Sequence, residues 1–265
     1  MTNLDTNQLR MWRRVVVCVA LVSAVLSTPI SSGQASATSL KGSITVSAAS
    51  SLTDVFKAMA RDFRKANPRV GVTFNFGSSS ALVSQVQAGA PADVFAAADT
   101  SSVDKLAASG HVTRTPRIFA RNSLMMAVKP GNPLKILSLK DLTKAGVVAL
   151  CAKTVPCGLY AATALQRAAV VLPESSVSRS VDARATIGAV VNGDADAAVV
   201  YATDVKTAGA SVTSVAVPRI HNITAMYAMA PVRGSKNMKV AQAFIDYVMS
   251  PAGQSTLVRF GFLRP

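Results

Sequence analysis

From Ile44 onward the chain switches repeatedly between two periodicities, and that switching constrains the fold more than any single residue does. Short β-rich runs with apolar residues at alternate positions, such as Val70, Val72, Phe74 and Phe76, argue for strands. Between them lie stretches with apolar residues three and four apart. Leu52, Val55, Phe56, Met59, Ala60 and Phe63 form one helical stripe, which Asn67-Pro68 ends. The alternation predicts strands over 44–48, 70–76, 93–97, 123–128, 147–150, 197–201, 212–217 and 224–230. Helices are expected to follow Leu52 and over 81–88, 101–109, 158–171, 183–192 and 238–249. A short helical segment is expected at 139–144 and a last turn before Gly261. Strand–helix alternation builds a parallel α/β sheet with helices on both faces, and ligands bind beyond the carboxyl ends of its strands.

The first 37 residues obey a different pattern. Arg10, Arg13 and Arg14 precede an apolar run from Val15 to about Leu26, and Ala35-Ser36-Ala37 fits the small-x-small cleavage rule of a secretory signal. The run is shorter than the roughly 20 residues that span a bilayer, and Pro29 interrupts its tail. Residues 1–37 therefore read as a signal peptide containing Cys18. The mature chain reads as exported to a periplasmic or extracytoplasmic compartment, and as membrane-associated if that segment is retained. In such an oxidising setting Cys151 and Cys157 are expected to close a small disulfide.

Composition removes several function classes. The formal net charge is +15, but the basic residues are scattered singly, without interleaved aromatics. That pattern argues against nucleic acid and for a basic surface that attracts anions over long range. Only His111, His221 and one glutamate, Glu174, occur, far apart in sequence, so neither a resident metal or cofactor nor paired-carboxylate chemistry is expected. A serine hydrolase would need a nucleophile elbow, and no G-x-S-x-G is present.

Two junctions use the same device. Ala49-Ser50-Ser51-Leu52 lies between the first strand and first helix, and Phe76-Gly77-Ser78-Ser79-Ser80 between the second strand and second helix. Each puts serines at a helix N-terminus, where free N–H groups and the positive dipole end favour an anion and the hydroxyls add directed donors. Ordinary N-capping would explain one such junction; two in successive βα units point toward a site. Val155-Pro156-Cys157-Gly158 opens a further helix with proline near its first position, where the missing donor costs nothing. Tyr201 closes a strand, either reaching a cleft or half-buried in the core.

ITVSAASSL at 44–52, FGSSS at 76–80, GAPADVF at 89–95, VPCG at 155–158 and AVVY at 198–201 resemble, in order and spacing, the periplasmic molybdate-binding proteins of molybdate ABC transporters. The resemblance spans about residues 42–265. It implies a two-lobed type II periplasmic-binding-protein fold, each lobe a mostly parallel sheet flanked by helices, with two crossing strands as hinge. Lobe 1 would comprise 38–121 plus 219–265 and lobe 2 would comprise 122–218, hinged near 121–123 and 217–222. It implies molybdate or tungstate as ligand, held by the hydroxyl and N–H of Ser51 and Ser79, the N–H of Cys157 and of Ala183, and the phenol of Tyr201. The family commonly carries other small or apolar residues at the Cys157 and Ala183 positions, a departure that leaves a backbone contact in place. It further implies a monomer that is not an enzyme, that touches the metal only as the oxyanion, and that serves an ABC permease and its ATPase. Sulfate or phosphate is the alternative ligand.

Overall fold

The computed structural model describes residues 40–112 and 115–265. The expected signal segment, residues 1–37, lies outside the described residues. β1 (Gly42–Ala49), α1 (Thr53–Ala66) and β2 (Val70–Gly77) form the first βα unit, with β1 and β2 parallel. α2 (Ser79–Gln87), β3 (Val94–Ala97) and α3 (Thr100–Ala108) follow, with β3 parallel to β1 on its other side. A long strand, β4 (Arg117–Val128), leads into β5 (Val148–Cys151), α4 (Pro156–Arg167), β6 (Val177–Ser180), α5 (Ala183–Val191) and β7 (Ala197–Tyr201). Here β5 is parallel to both β6 and β7. α6 (Ala202–Ala208), β8 (Thr213–Ala216), β9 (Thr224–Pro231), α7 (Met238–Met249) and α8 (Pro251–Arg259) complete the order.

The strands make one sheet in the order β2-β1-β3-β9-β4-β7-β5-β6, with β8 also on β4. Both flanks are parallel, as the alternation predicts. Its centre is not: β9 is antiparallel to β3 and β4, and β4 is antiparallel to β7 and β8. Period alone carries no information on strand direction.

Helix α1 shows why these residues fold as they do. All six positions of the predicted stripe, including Leu52 just ahead of the helix, are buried. Phe56 is fully enclosed, its ring centroid 5.9 Å from both Phe119 and Phe244 and 6.3 Å from Phe74. One ring therefore fastens α1 to β2, β4 and α7.

Several boundaries differ from the sequence reading, each for a local reason. β4 starts at Arg117 rather than at 123, because an irregularity between Ile118 and Ala120 places Phe119 and Ala120 both inside and breaks the alternation. α4 runs Pro156–Arg167 instead of 158–171; Ala169, with φ 52°, enters the left-handed region and stops it. β6 (VSRS) is a partly polar edge strand with no apolar period, and the seven-residue α6 is too short to show one. The last turn is a full helix, α8, with Pro251 in its first turn and the Ser250 hydroxyl accepting from Gly253 N–H at 3.2 Å.

Truncating Phe56 leaves a cavity shared by three elements. Phe56→Ala is expected to lower stability by about 3–5 kcal/mol, read as a drop in urea midpoint with the slope of the transition preserved.

Candidate functional site

Four segment starts converge beyond the strand ends. The 3-10 turn Ser50–Leu52 follows β1, α2 follows β2, α4 follows β5, and α5 follows β6. Ser51, Ser79, Cys157, Ala183 and Tyr201 line one pocket between them. The structure thus brings all five sequence-selected positions together. Gly77, Ser78, Ala98, Pro156 and Asp182 complete much of the wall.

Ser79 is 1% exposed, and its Oγ accepts from Ala98 N–H at 3.0 Å. That bond occupies the oxygen and leaves the hydroxyl proton to donate. Ser51 Oγ lies 2.8 Å from Tyr227 Oη. Tyr201 Oη is buried and makes no hydrogen bond among the described residues, so a phenol proton faces the pocket without an acceptor. A buried polar group in that state costs free energy unless something fills the role. Ser78 caps α2, its Oγ accepting from Ala81 N–H at 3.4 Å. α2 begins at Ser79, two residues ahead of the predicted start, which puts the Ser79 N–H in the first turn without an intrahelical acceptor.

The opposite wall is stiffened covalently. Cys151, the last residue of β5, is disulfide-bonded to Cys157 in the first turn of α4, with Cα atoms 5.8 Å apart. Gly158 allows the same close approach: a Cβ there would fall 2.0 Å from the carbonyl oxygen of Ala152. Together these hold the first-turn N–H groups of α4 beside the pocket. Asp182 caps α5 by accepting from Ala185 N–H at 2.9 Å, so its carboxylate is engaged with the helix it precedes. Two contacts pass between the two walls. Ser80 Oγ donates to Thr154 O at 2.9 Å, and Arg184 pairs with Asp54.

Sequence reasoning did not find Ala98, Asp182, Asn122 or Tyr227. Asp182 was the findable one, since an aspartate directly before an apolar helical run is a cap signal. The others act through contacts 19 to 176 residues apart and leave no local pattern.

A model of the bacterial extracellular solute-binding proteins matches residues 44–263. The chain belongs to that family. The molybdate-binding protein ModA of Mycobacterium tuberculosis is 35% identical over 251 residues, which cover 94% of this chain and 95% of that protein. The molybdate-binding protein ModA of Haemophilus influenzae is 30% identical over 231 residues, covering 83% and 89%. Among solved structures, the periplasmic molybdate-binding protein of Azotobacter vinelandii matches with a TM-score of 0.76 at 20% identity, over 84% of this chain and 99% of that one. The sulfate-binding protein SubI of M. tuberculosis gives 0.74 at 20% identity, over 83% and 86%. At these identities the structural likeness establishes the fold of periplasmic binding proteins, which proteins named for two different anions share. Extracellular solute-binding proteins are transport components rather than enzymes, which sets the hydrolase reading aside.

In this solute-binding protein burial shifts the protonation of the groups behind the pocket. Burial keeps the phenol of Tyr201 protonated far above its usual range. Burial also pushes Asp204 up to about 7, against the opposing pull of Tyr201 N–H, which donates to its Oδ2 at 3.2 Å, and of the Arg184 charge. Burial raises Tyr160, 6.4 Å from Tyr201 between ring centroids, to about 12.

Asp204 gives a measurable consequence. Its carboxyl titrates higher in the folded chain than in the unfolded one, so across about pH 4 to 7 the folded state holds a proton that the unfolded state has released. Stability contributed by that proton is present at the acid end and lost as pH rises through about 7, with a slope of up to about 1.4 kcal/mol per pH unit. Urea unfolding between about pH 5 and about pH 8 should show this decline in the natural chain. Asp204→Asn, which can still accept from Tyr201 N–H, should flatten it.

Proposed function

We propose that this chain is the solute-binding component of an ABC importer and takes molybdate or tungstate between two lobes. The observation that supports this most is the donor character of the pocket. Hydroxyls of Ser51, Ser79 and Tyr201 meet first-turn N–H groups of three helices, and no lysine or arginine is among the described residues that line it. A deprotonated tetrahedral oxyanion accepts hydrogen bonds and donates none, so such a wall fits it and penalises a protonated phosphate. Burying a dianion without a counter-cation is costly; helix N-termini and charge-assisted hydrogen bonds offset that cost and keep release feasible. Sulfate, whose oxygens lie closer to its centre, would be selected against by size. The relatives named as molybdate-binding, which match 94% and 83% of the chain, agree with this choice.

In this reading Ser51 and Ser79 donate through hydroxyl and N–H, Cys157 and Ala183 through N–H, and Tyr201 through its phenol. Residues 38–121 plus 219–265 form one lobe and 122–218 the other, with the hinge near 121–123 and 217–222. The contacts Ser80–Thr154 and Arg184–Asp54 then cross the cleft and favour the closed population. The closed monomer, exported with residues 1–37 as its signal, docks on a membrane permease driven by a cytoplasmic ATPase.

Thermal unfolding of the mature chain with molybdate, tungstate, sulfate or phosphate tests the ligand class. An anion at about a thousand times its dissociation constant adds roughly 4 kcal/mol, a rise on the order of 8–16 °C for a chain of this size. Molybdate and tungstate are expected to give that rise, and Ser51→Ala or Ser79→Ala to reduce it, measured from each variant's own ligand-free midpoint, which falls because Tyr227 O–H or Ala98 N–H loses its acceptor. A rise with sulfate or phosphate instead would reassign the ligand, and no rise with any anion would sink the reading.

A further inference from the structure

We infer that Tyr227 and Asn122, neither of which lines the pocket, are positioning residues that fix the direction of the Ser51 hydroxyl so that its proton points at the bound anion. This rests on the oxyanion reading above and specifies how one of its donors is oriented.

A serine hydroxyl can donate or accept, and a pocket made for an acceptor-only ligand has to settle which. For Ser79 the structure settles it through Ala98 N–H, which occupies the oxygen. For Ser51 the neighbour is itself ambiguous, because Ser51 Oγ and Tyr227 Oη lie 2.8 Å apart and either can be the donor. The next shell resolves the choice. Asn122 is 1% exposed, and its Oδ1 accepts from Ser123 N–H at 2.9 Å. The amide nitrogen must therefore face the other way, where Nδ2 donates to Thr203 Oγ1 at 2.8 Å and reaches Tyr227 Oη at 3.4 Å.

Tyr227 Oη thus receives a hydrogen from Asn122 and must place its own. The side chain is fully enclosed, and burial holds the phenol protonated well above its usual range. Among the described residues its only hydrogen-bond neighbours are Asn122 Nδ2, which has no lone pair to offer, and Ser51 Oγ. A buried hydroxyl proton goes to the acceptor present. Tyr227 therefore donates to Ser51, Ser51 Oγ is filled as an acceptor, and its proton is left for the pocket. The order runs Asn122 N–H to Tyr227, Tyr227 O–H to Ser51, Ser51 O–H to the anion. Each bond polarises the next, and the two residues behind Ser51 sit on β4 and β9.

Tyr227→Phe removes only the hydroxyl and keeps the ring that packs edge-on to Phe119, Tyr201 and Phe262. Calorimetric titration of the mature chain with molybdate is the test, made in a double-mutant cycle with Ser51→Ala. Tyr227→Phe alone should raise the dissociation constant about tenfold, the scale of one charge-assisted hydrogen bond. In the Ser51→Ala background the same change should move it less than about twofold, because there is no hydroxyl left to orient. Equal losses in both backgrounds, or no loss in either, would overturn the inference, since a role in packing alone does not depend on Ser51. Should Tyr227→Phe fold poorly, Asn122→Ala in the same two backgrounds gives the same readout with a smaller loss. If the natural chain binds molybdate and Ser51→Ala weakens it while Tyr227→Phe is neutral, the relay fails and the ligand assignment stands. If the natural chain binds no oxyanion, both fail.

Discussion

The antiparallel pairing of β4 with β9 is the joint on which both flanks of the sheet depend. It runs from Arg117 opposite Met229 to Ser123 opposite Thr224. On one side β9 carries β3, β1 and β2; on the other β4 carries β7, β5 and β6. Because the flanks are parallel, each aligns its strand ends and delivers helix starts at one edge. The pocket lies where those starts meet, so its wall is built of backbone N–H groups and short hydroxyl side chains rather than of long, flexible ones. Side chains such as lysine would have to be ordered on binding at a cost in entropy; serines at helix starts carry little of that cost.

What surrounds the pocket is devoted to hydrogen-bond direction. Ala98 N–H fills Ser79 Oγ, Asn122 and Tyr227 stand behind Ser51, and Tyr201 Oη has no hydrogen-bond partner among the described residues. The close packing of Gly158 against Ala152 and the Cys151–Cys157 bond fix the start of α4 by shape and covalency instead. Directed hydrogen bonds on one hand and shape with covalency at α4 on the other thus serve the same end of holding donors still. Preorganised donors need little rearrangement when an anion arrives.

Much of this was legible in the sequence, and the exceptions are instructive. The apolar stripe of α1, the serine junctions and the proline-cysteine-glycine helix start are local patterns, and local patterns survive in one dimension. The five pocket positions were placed by combining such junctions with a family resemblance, and they meet in space. The antiparallel centre was invisible to period, because β4 and β9 pair across about a hundred residues. The true start of β4 was hidden by its irregularity at Phe119 and Ala120. Tyr227 was readable only as one more apolar position in a strand, since its role depends on Ser51, 176 residues away.

The aromatic neighbours of the pocket carry one more consequence, an optical one. No tryptophan occurs among the described residues, the single one in the chain being Trp12. Four tyrosines occur in all, and Tyr160 and Tyr227 pack edge-on against Tyr201 of the pocket wall, 6.4 Å and 5.7 Å away. Only Tyr247 lies elsewhere, packed against Phe63. A chain lacking its first 37 residues therefore emits as tyrosine, and three of its four emitters are Tyr201, which lines the pocket, and the two rings packed against it. The fold has built its own reporter there, and no dye need be attached to follow it.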